Sequence, residues 1–266
     1  MSIYYLCFFI AVIHLIATLS YGVRIAGART GKVAFCLSIF NILVLVSRTS
    51  NTLLTPALSK RVESTLHVAA ESLKHEFHLL ILSASLATLL GAALIPTFQR
   101  YVTAVVASFD RFPSLPRMMK FALSPSGVRA LGSSWAMPSK SNFGFLAAGH
   151  RLPWNIFAMN VIGSALLATG VLSSLYAGVF APDLRMTTGQ LSAVVNFFGT
   201  IMLFAFVDPY LSYVTDGAAK DAEGDARLRA AVFGMAGSRL LGTVMAHFLM
   251  VPGAMMIAWI ARVIPS

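Results

Sequence analysis

Acids are scarce in this chain: 266 residues hold 10 Asp and Glu against 20 Lys and Arg. Charged residues make up 11% of the sequence, less than half of the roughly 25% found in soluble domains. That shortage excludes an ordinary water-soluble domain. It also leaves little for metal-assisted phosphoryl chemistry, which needs gathered carboxylates; the one local group is Asp221, Glu223 and Asp225. Cysteine is nearly absent. Cys7 and Cys36 both sit in apolar runs and form no disulfide framework, redox motif or zinc motif. No glycine-rich nucleotide loop ending in Gly-Lys-Ser/Thr occurs, so this chain does not hydrolyse ATP. No nucleic-acid module is recognisable, and no cofactor is expected.

What is present is hydrophobic residue: 57% of the chain, with a mean hydropathy of +0.77. Six apolar runs, at about 3–22, 35–54, 78–96, 155–180, 190–214 and 240–260, have lengths suited to crossing a bilayer as helices. The fold class expected is all-α: one polytopic membrane bundle over 1–266, with amphipathic helices lying at the interface. The first run lacks a basic leader and an Ala-x-Ala site, so it reads as a retained helix. In a membrane protein a net charge of +10 points to anionic lipid contact before it points to nucleic acid.

The second run holds an arginine. Placing Arg48 inside a span costs at least roughly 2.5–3.5 kcal/mol on insertion scales, a cost that persists where the charge faces a partner or a watery path. At helical period Ser38, Asn41, Leu45, Arg48 and Thr52 share one face, while Ile39, Leu43 and Val46 point elsewhere, toward lipid. The stripe reads as a substrate pathway; polar glue between packed helices is the plainer reading. Asp208, followed by Pro209, is the one acid placed inside a span.

Between the spans, Tyr21 to Lys32 reads as a short basic loop. In it Arg24 and Arg29 are candidate phosphate contacts and Gly22, Gly27 and Gly31 loosen the backbone. Pro56 is taken to end the second span, with an amphipathic helix over 57–77 after it. His67, His75 and His78 within and beside that segment do not have zinc-motif spacing. The connector 99–153 interleaves basic and aromatic residues, as interfacial helices on anionic lipid do. Residues 215–239 read as a charged loop.

Most of the 20 Lys and Arg fall after the first, third and fifth spans. The positive-inside rule therefore puts those loops in the cytoplasm and both termini outside. On that topology Arg48 and Asp208 differ in depth by roughly 10–15 Å at about 1.5 Å per residue. They read as two separate stations and not as an ion pair. The second and fifth spans run in opposite senses, as in a 3 + 3 inverted repeat. His14, Asp208 and His247 are the groups available for coupling to protons.

Tyr21-Gly-Val-Arg-Ile-Ala-Gly-Ala-Arg-Thr and Phe40-Asn-Ile-Leu-Val-Leu-Val-Ser-Arg-Thr-Ser-Asn51 resemble the Amj family of alternate lipid II flippases, and Asp208-Pro209 is similar as well. The resemblance implies a multi-pass protein of the bacterial inner membrane and a transporter, not an enzyme. Its substrate would be lipid II, the undecaprenyl-diphosphate-linked peptidoglycan precursor, moved from the inner to the outer leaflet. Lipid II and membrane lipids would be its partners. The resemblance carries no residue roles; Arg48, Asn41, Asn51, Thr52, Arg24, Arg29 and Asp208 are substrate-binding candidates on their chemistry alone. Two other readings compete. A membrane enzyme on polyprenyl phosphates would rest on Asp221, Glu223 and Asp225. A scaffold would leave Arg48 and Asp208 without a task.

Overall fold

The computed structural model describes residues 2–65, 70–107, 120, 124–136 and 151–265. Helices account for nearly all of them: α1 (Ile3–Thr30), α2 (Val33–Thr65), α3 (Ala70–Ala107), α4 (Pro125–Ser133), α5 (Trp154–Phe180), α6 (Arg185–Gln190), α7 (Ser192–Ile201), α8 (Asp208–Ala218) and α9 (Ala222–Val263). Among the described residues six helical stretches are long and apolar enough to cross a membrane, the fifth being the broken run Pro182–Ala218. The architecture is an all-α polytopic bundle.

Several elements run longer than hydropathy suggests. The expected loop over Tyr21–Lys32 is instead the last turns of α1, which ends only at Gly31, in the left-handed region at φ 67°. The cause is tertiary: Tyr21, Val23, Ile25 and Ala26 are buried in the bundle. Gly27 permits a close crossing there, because a Cβ at that position would lie 2.9 Å from that of Cys36. Pro56 likewise does not end α2. The proline removes one donor, the one that would bond Thr52 O, and the helix continues through it on the bonds that remain.

The amphipathic helix expected over 57–77 is not one element. Residues 57–65 continue α2, and 70–77 open α3. Arg61 ties the two ends together with a fork onto Glu76, Nε to Oε2 at 3.0 Å and Nη2 to Oε1 at 2.5 Å. His67 lies outside the described residues. The charged loop expected over 215–239 shrinks to a turn at 219–221. The charges beyond it sit on α9 as the i,i+4 pairs Glu223–Arg227 and Asp225–Arg229. Of the connector 99–153, residues 99–107 belong to α3, and α4 is held near it where Thr97 Oγ1 donates to Ala136 O at 2.9 Å. Arg111, Arg117 and Lys140 of that connector lie outside the described residues.

The fifth pass is interrupted. Between α7 and α8 the residues Met202–Val207 form a π-helical segment, directly before Asp208-Pro209. The proline ring cannot sit against the carbonyl four residues back in a regular α-helix, and one wider turn relieves that clash.

Packing follows one plan in both halves. Helix α1 lies against α3 and α2; α5 lies against α9 and the fifth pass; α9 and α3 join the halves. Hydroxyls and amides reinforce these crossings. Ser47 Oγ donates to Ile13 O at 3.1 Å, Ser83 Oγ to Cys7 O at 2.7 Å, and Asn160 Nδ2 to Met235 O at 3.0 Å. The apolar interior is split in two. One cluster gathers Leu6, Ile10, Leu58, Phe77, Leu80, Tyr176 and Met250; the other gathers Val23, Phe40, Val106, Leu211, Leu228 and Met235.

Candidate functional site

Arg24 is 2% exposed, although it was read as a loop residue. Its Nη2 donates to Asp208 Oδ1 at 3.0 Å and its Nη1 to Ser212 Oγ at 3.2 Å. Its guanidinium also lies over the Phe40 ring, 4.2 Å from the centroid. These contacts from α2 and α8 offset the removal of the ion from water. Proline at 209 fixes where α8 starts, so the carboxylate of Asp208 projects from a helix N-terminus toward α1.

Arg48 is half-buried and reaches from α2 across to the fifth pass. Its Nη1 donates to Thr200 Oγ1 at 2.6 Å, and its guanidinium caps the Phe204 ring at 4.7 Å. Beside it is a cavity of about 80 Å³, whose polar lining is Ser20, Tyr21, Ser47, Arg48, Asp208 and Arg239. That volume has room for several waters. Asp208 is already bonded to Arg24, so Arg48 and Arg239 leave the cavity with an excess of positive charge. Arg239 Nε is buried there with no hydrogen-bond partner among the described residues.

Arg48 and Asp208 therefore border one cavity, which overturns their reading as stations in separate leaflets. The depth estimate failed because α2 extends to Thr65, which puts Arg48 near its middle, and because an arginine side chain spans more than one helical turn. Helix α2 packs mainly on α1, only lightly on α3 and α5, and shows no comparable packing against the fifth pass. Across that seam Arg48 is the polar bridge.

The other candidates are dispersed. Asn41 and Thr52 are exposed on the face of α2 that flanks Arg48. The polar stripe is thus on the outside of the bundle, at the rim of the seam. The seat of α2 on its neighbours is instead Cys36, Phe40, Ser47, Leu54 and Leu58, with Ile39 and Leu43 packed alongside. This reverses the expectation that those two residues face lipid; a flank of large apolar side chains buries better against α1 than a polar one. Asn51 borders a second cavity of about 20 Å³ together with His14. Arg29 is exposed at the end of α1 and does not reach the charged cavity. Beyond Arg48 the seam widens into an open cavity of about 510 Å³, with Thr55, Ser59, Glu63, Arg185, Gln190 and Ser192 in its lining.

Sequence reading missed Arg239, assigned to a loop, and Ser47 and Thr200, which carry no motif. A usable signal for Arg24 and Arg239 was present: each is followed directly by apolar residues, with no proline near. The three groups considered for proton coupling lie in different settings, since His247 Nδ1 is 3.1 Å from His78 Nδ1 in a stacked pair and Asp208 is held by Arg24. The acids that an enzyme reading would need have other work: the Asp221 side chain caps α9 by accepting from Gly224 N at 2.6 Å, and Glu223 and Asp225 pair with arginines.

Fold and site together define a multi-pass α-helical membrane protein with a cationic centre at the seam between two peripheral passes. The chain belongs to the Amj family, described as an alternate to MurJ, whose model matches residues 9–261. A Bacillus subtilis (strain 168) protein named lipid II flippase Amj is 32% identical over 257 residues, covering 96% of this chain and 94% of that protein. The likeness thus extends far beyond the two segments in which it is visible by eye. No solved structure matches the chain.

Proposed function

We propose that this protein is a lipid II flippase of the bacterial inner membrane, a transporter that carries the undecaprenyl-diphosphate-linked precursor from the inner to the outer leaflet. The name of the Bacillus relative supports the substrate, and the seam between α2 and the fifth pass supports the route. The observation that carries the reading is Arg48, half-buried and bridging that seam to Thr200 beside a cavity with excess positive charge.

The cargo has a dianionic head, a large polar body and a long apolar tail. Moving the head through hydrocarbon needs charge compensation and water, while the tail stays in lipid. A seam open along its side meets both needs. The head enters near Asn41, trades the Thr200 bond of Arg48 for a bidentate bond to phosphate, and leaves through the wide cavity lined by Ser59 and Arg185. Arg24 keeps Asp208 occupied, so the carboxylate does not repel the diphosphate. On this reading the end bearing Arg29 and Arg229 is cytoplasmic, as the distribution of basic residues favours.

The test is reconstitution. Purified protein in vesicles should translocate lipid II, and Arg48→Ala should slow it about 10–100-fold while the variant still folds and inserts. Transport of lipid II by that variant at the parental rate would refute the route. Equal transport of undecaprenyl lipids bearing other sugars would refute the stated substrate.

A further inference from the structure

A groove of about 410 Å³ lies between α3 and α9 with α1 behind it, and it shares no lining residue with the Arg48 cavity. Its polar lining is confined to one end, where Arg29, Gln99 and Arg229 meet. Arg100 also acts on Arg29 there, and the acid at this end is Asp225, already paired with Arg229. Two buried polar atoms that have no partner among the described residues, Gln99 Oε1 and Arg229 Nε, mark the same spot. Away from this end the walls are apolar, with Leu89 52% and Phe233 47% exposed.

We infer that this groove holds an anionic phospholipid of the cytoplasmic leaflet, its phosphate between Arg29 and Arg229 and one acyl chain along α3 and α9. The dimensions favour this occupant. From Gln99 to Leu89 is ten residues of helix, about 15 Å, or half of the roughly 30 Å hydrocarbon core. That is the depth of one leaflet and of one phospholipid tail; a polyprenyl chain is much longer. The charge is also fixed at one level. Among the described residues no polar residue of the lining lies farther along the groove, which favours a resident over a cargo whose sugar head must step along the wall. Converging guanidiniums repel one another when empty and are relieved by phosphate, which arginine binds through its planar fork.

The experiment uses the full-length protein in phosphatidylcholine nanodiscs with a small fraction of photoreactive phosphatidylglycerol. Labelled peptides should map to 89–99 and 229–240, and photoreactive phosphatidylcholine should label them far less. Arg29→Ala with Arg229→Ala should weaken capture about 10–30-fold. Gly237→Phe should block it with both arginines in place, since Gly237 lines the groove and a Cβ there meets nothing within 4 Å. Arg48→Ala should leave labelling unchanged, which separates this site from the transport route. Equal labelling by the two probes, or unaltered labelling in both groove variants, overturns the inference. Displacement of the probe by lipid II overturns it as well, by making the groove a substrate site.

Discussion

Arg24 and Asp208 lie 184 positions apart in the chain, yet Nη2 of one is 3.0 Å from Oδ1 of the other, against Phe40 of the second apolar cluster. This bond fastens the first pass to the start of α8, beside the π-helical turn. It also explains how a chain with so few acids places one of them in the membrane: the carboxylate neutralises a cation that packing has already buried.

Breaking that pair should be costly. Asp208→Ala leaves Arg24 buried without its counter-ion and should destabilise the protein by about 3–5 kcal/mol. Arg24→Met combined with Asp208→Leu removes both charges and should recover most of the loss. Thermal unfolding in detergent checks both; a double variant no more stable than Asp208→Ala would contradict the pairing argument.

Arg48 should behave differently, because its neutral partner Thr200 loses little when it goes. A charge-assisted bond contributes about 1.5–3 kcal/mol, so Arg48→Ala should slow lipid II translocation about 10–100-fold with a melting temperature close to the parent's. Arg48→Lys keeps the charge without the fork and should fall between the two. Rates from a vesicle assay decide the order.

Topology can be read by labelling. In a background without Cys7 and Cys36, Met186→Cys, 83% exposed in the parent, should react with an impermeant maleimide added to intact cells. Lys32→Cys should react only after permeabilisation. The reverse pattern would invert the orientation and with it the assignment of entry and exit along the seam.

The α5–α9 crossing depends on Gly242. A Cβ there would sit 2.6 Å from Val161 O, a backbone atom that cannot step aside. Gly242→Leu should therefore cost about 2–3 kcal/mol or prevent folding. Gly237→Leu, on the same helix with open space around it, should be mild; similar melting temperatures for the two would refute the packing argument.

The wide cavity beyond Arg48 gives one more expectation. Gly189→Trp projects into it and should slow release of the head without altering stability much. Unchanged translocation by the folded Gly189→Trp variant would place the exit elsewhere.

Hydropathy and helical period, both local, were enough to establish the all-α class, six passes and an arginine in the second of them. The same rules set helix ends wrongly at Tyr21–Lys32, Pro56 and 215–239, because continuation through a charge or a proline depends on what packs against it. Arg24 and Arg239 looked like loop charges until α2, α3 and α5 closed around their helices. The stripe of Asn41 and Thr52 was legible, but its direction was not: a helix with two usable faces is oriented by its neighbours, and α1 took the face of Phe40, Ser47 and Leu58. Sequence alone determined that charge must be accommodated in the bilayer. Only the tertiary structure decided that Asp208 would answer Arg24 and leave Arg48 at the seam, since the choice of partner is set by contacts between passes far apart in the chain.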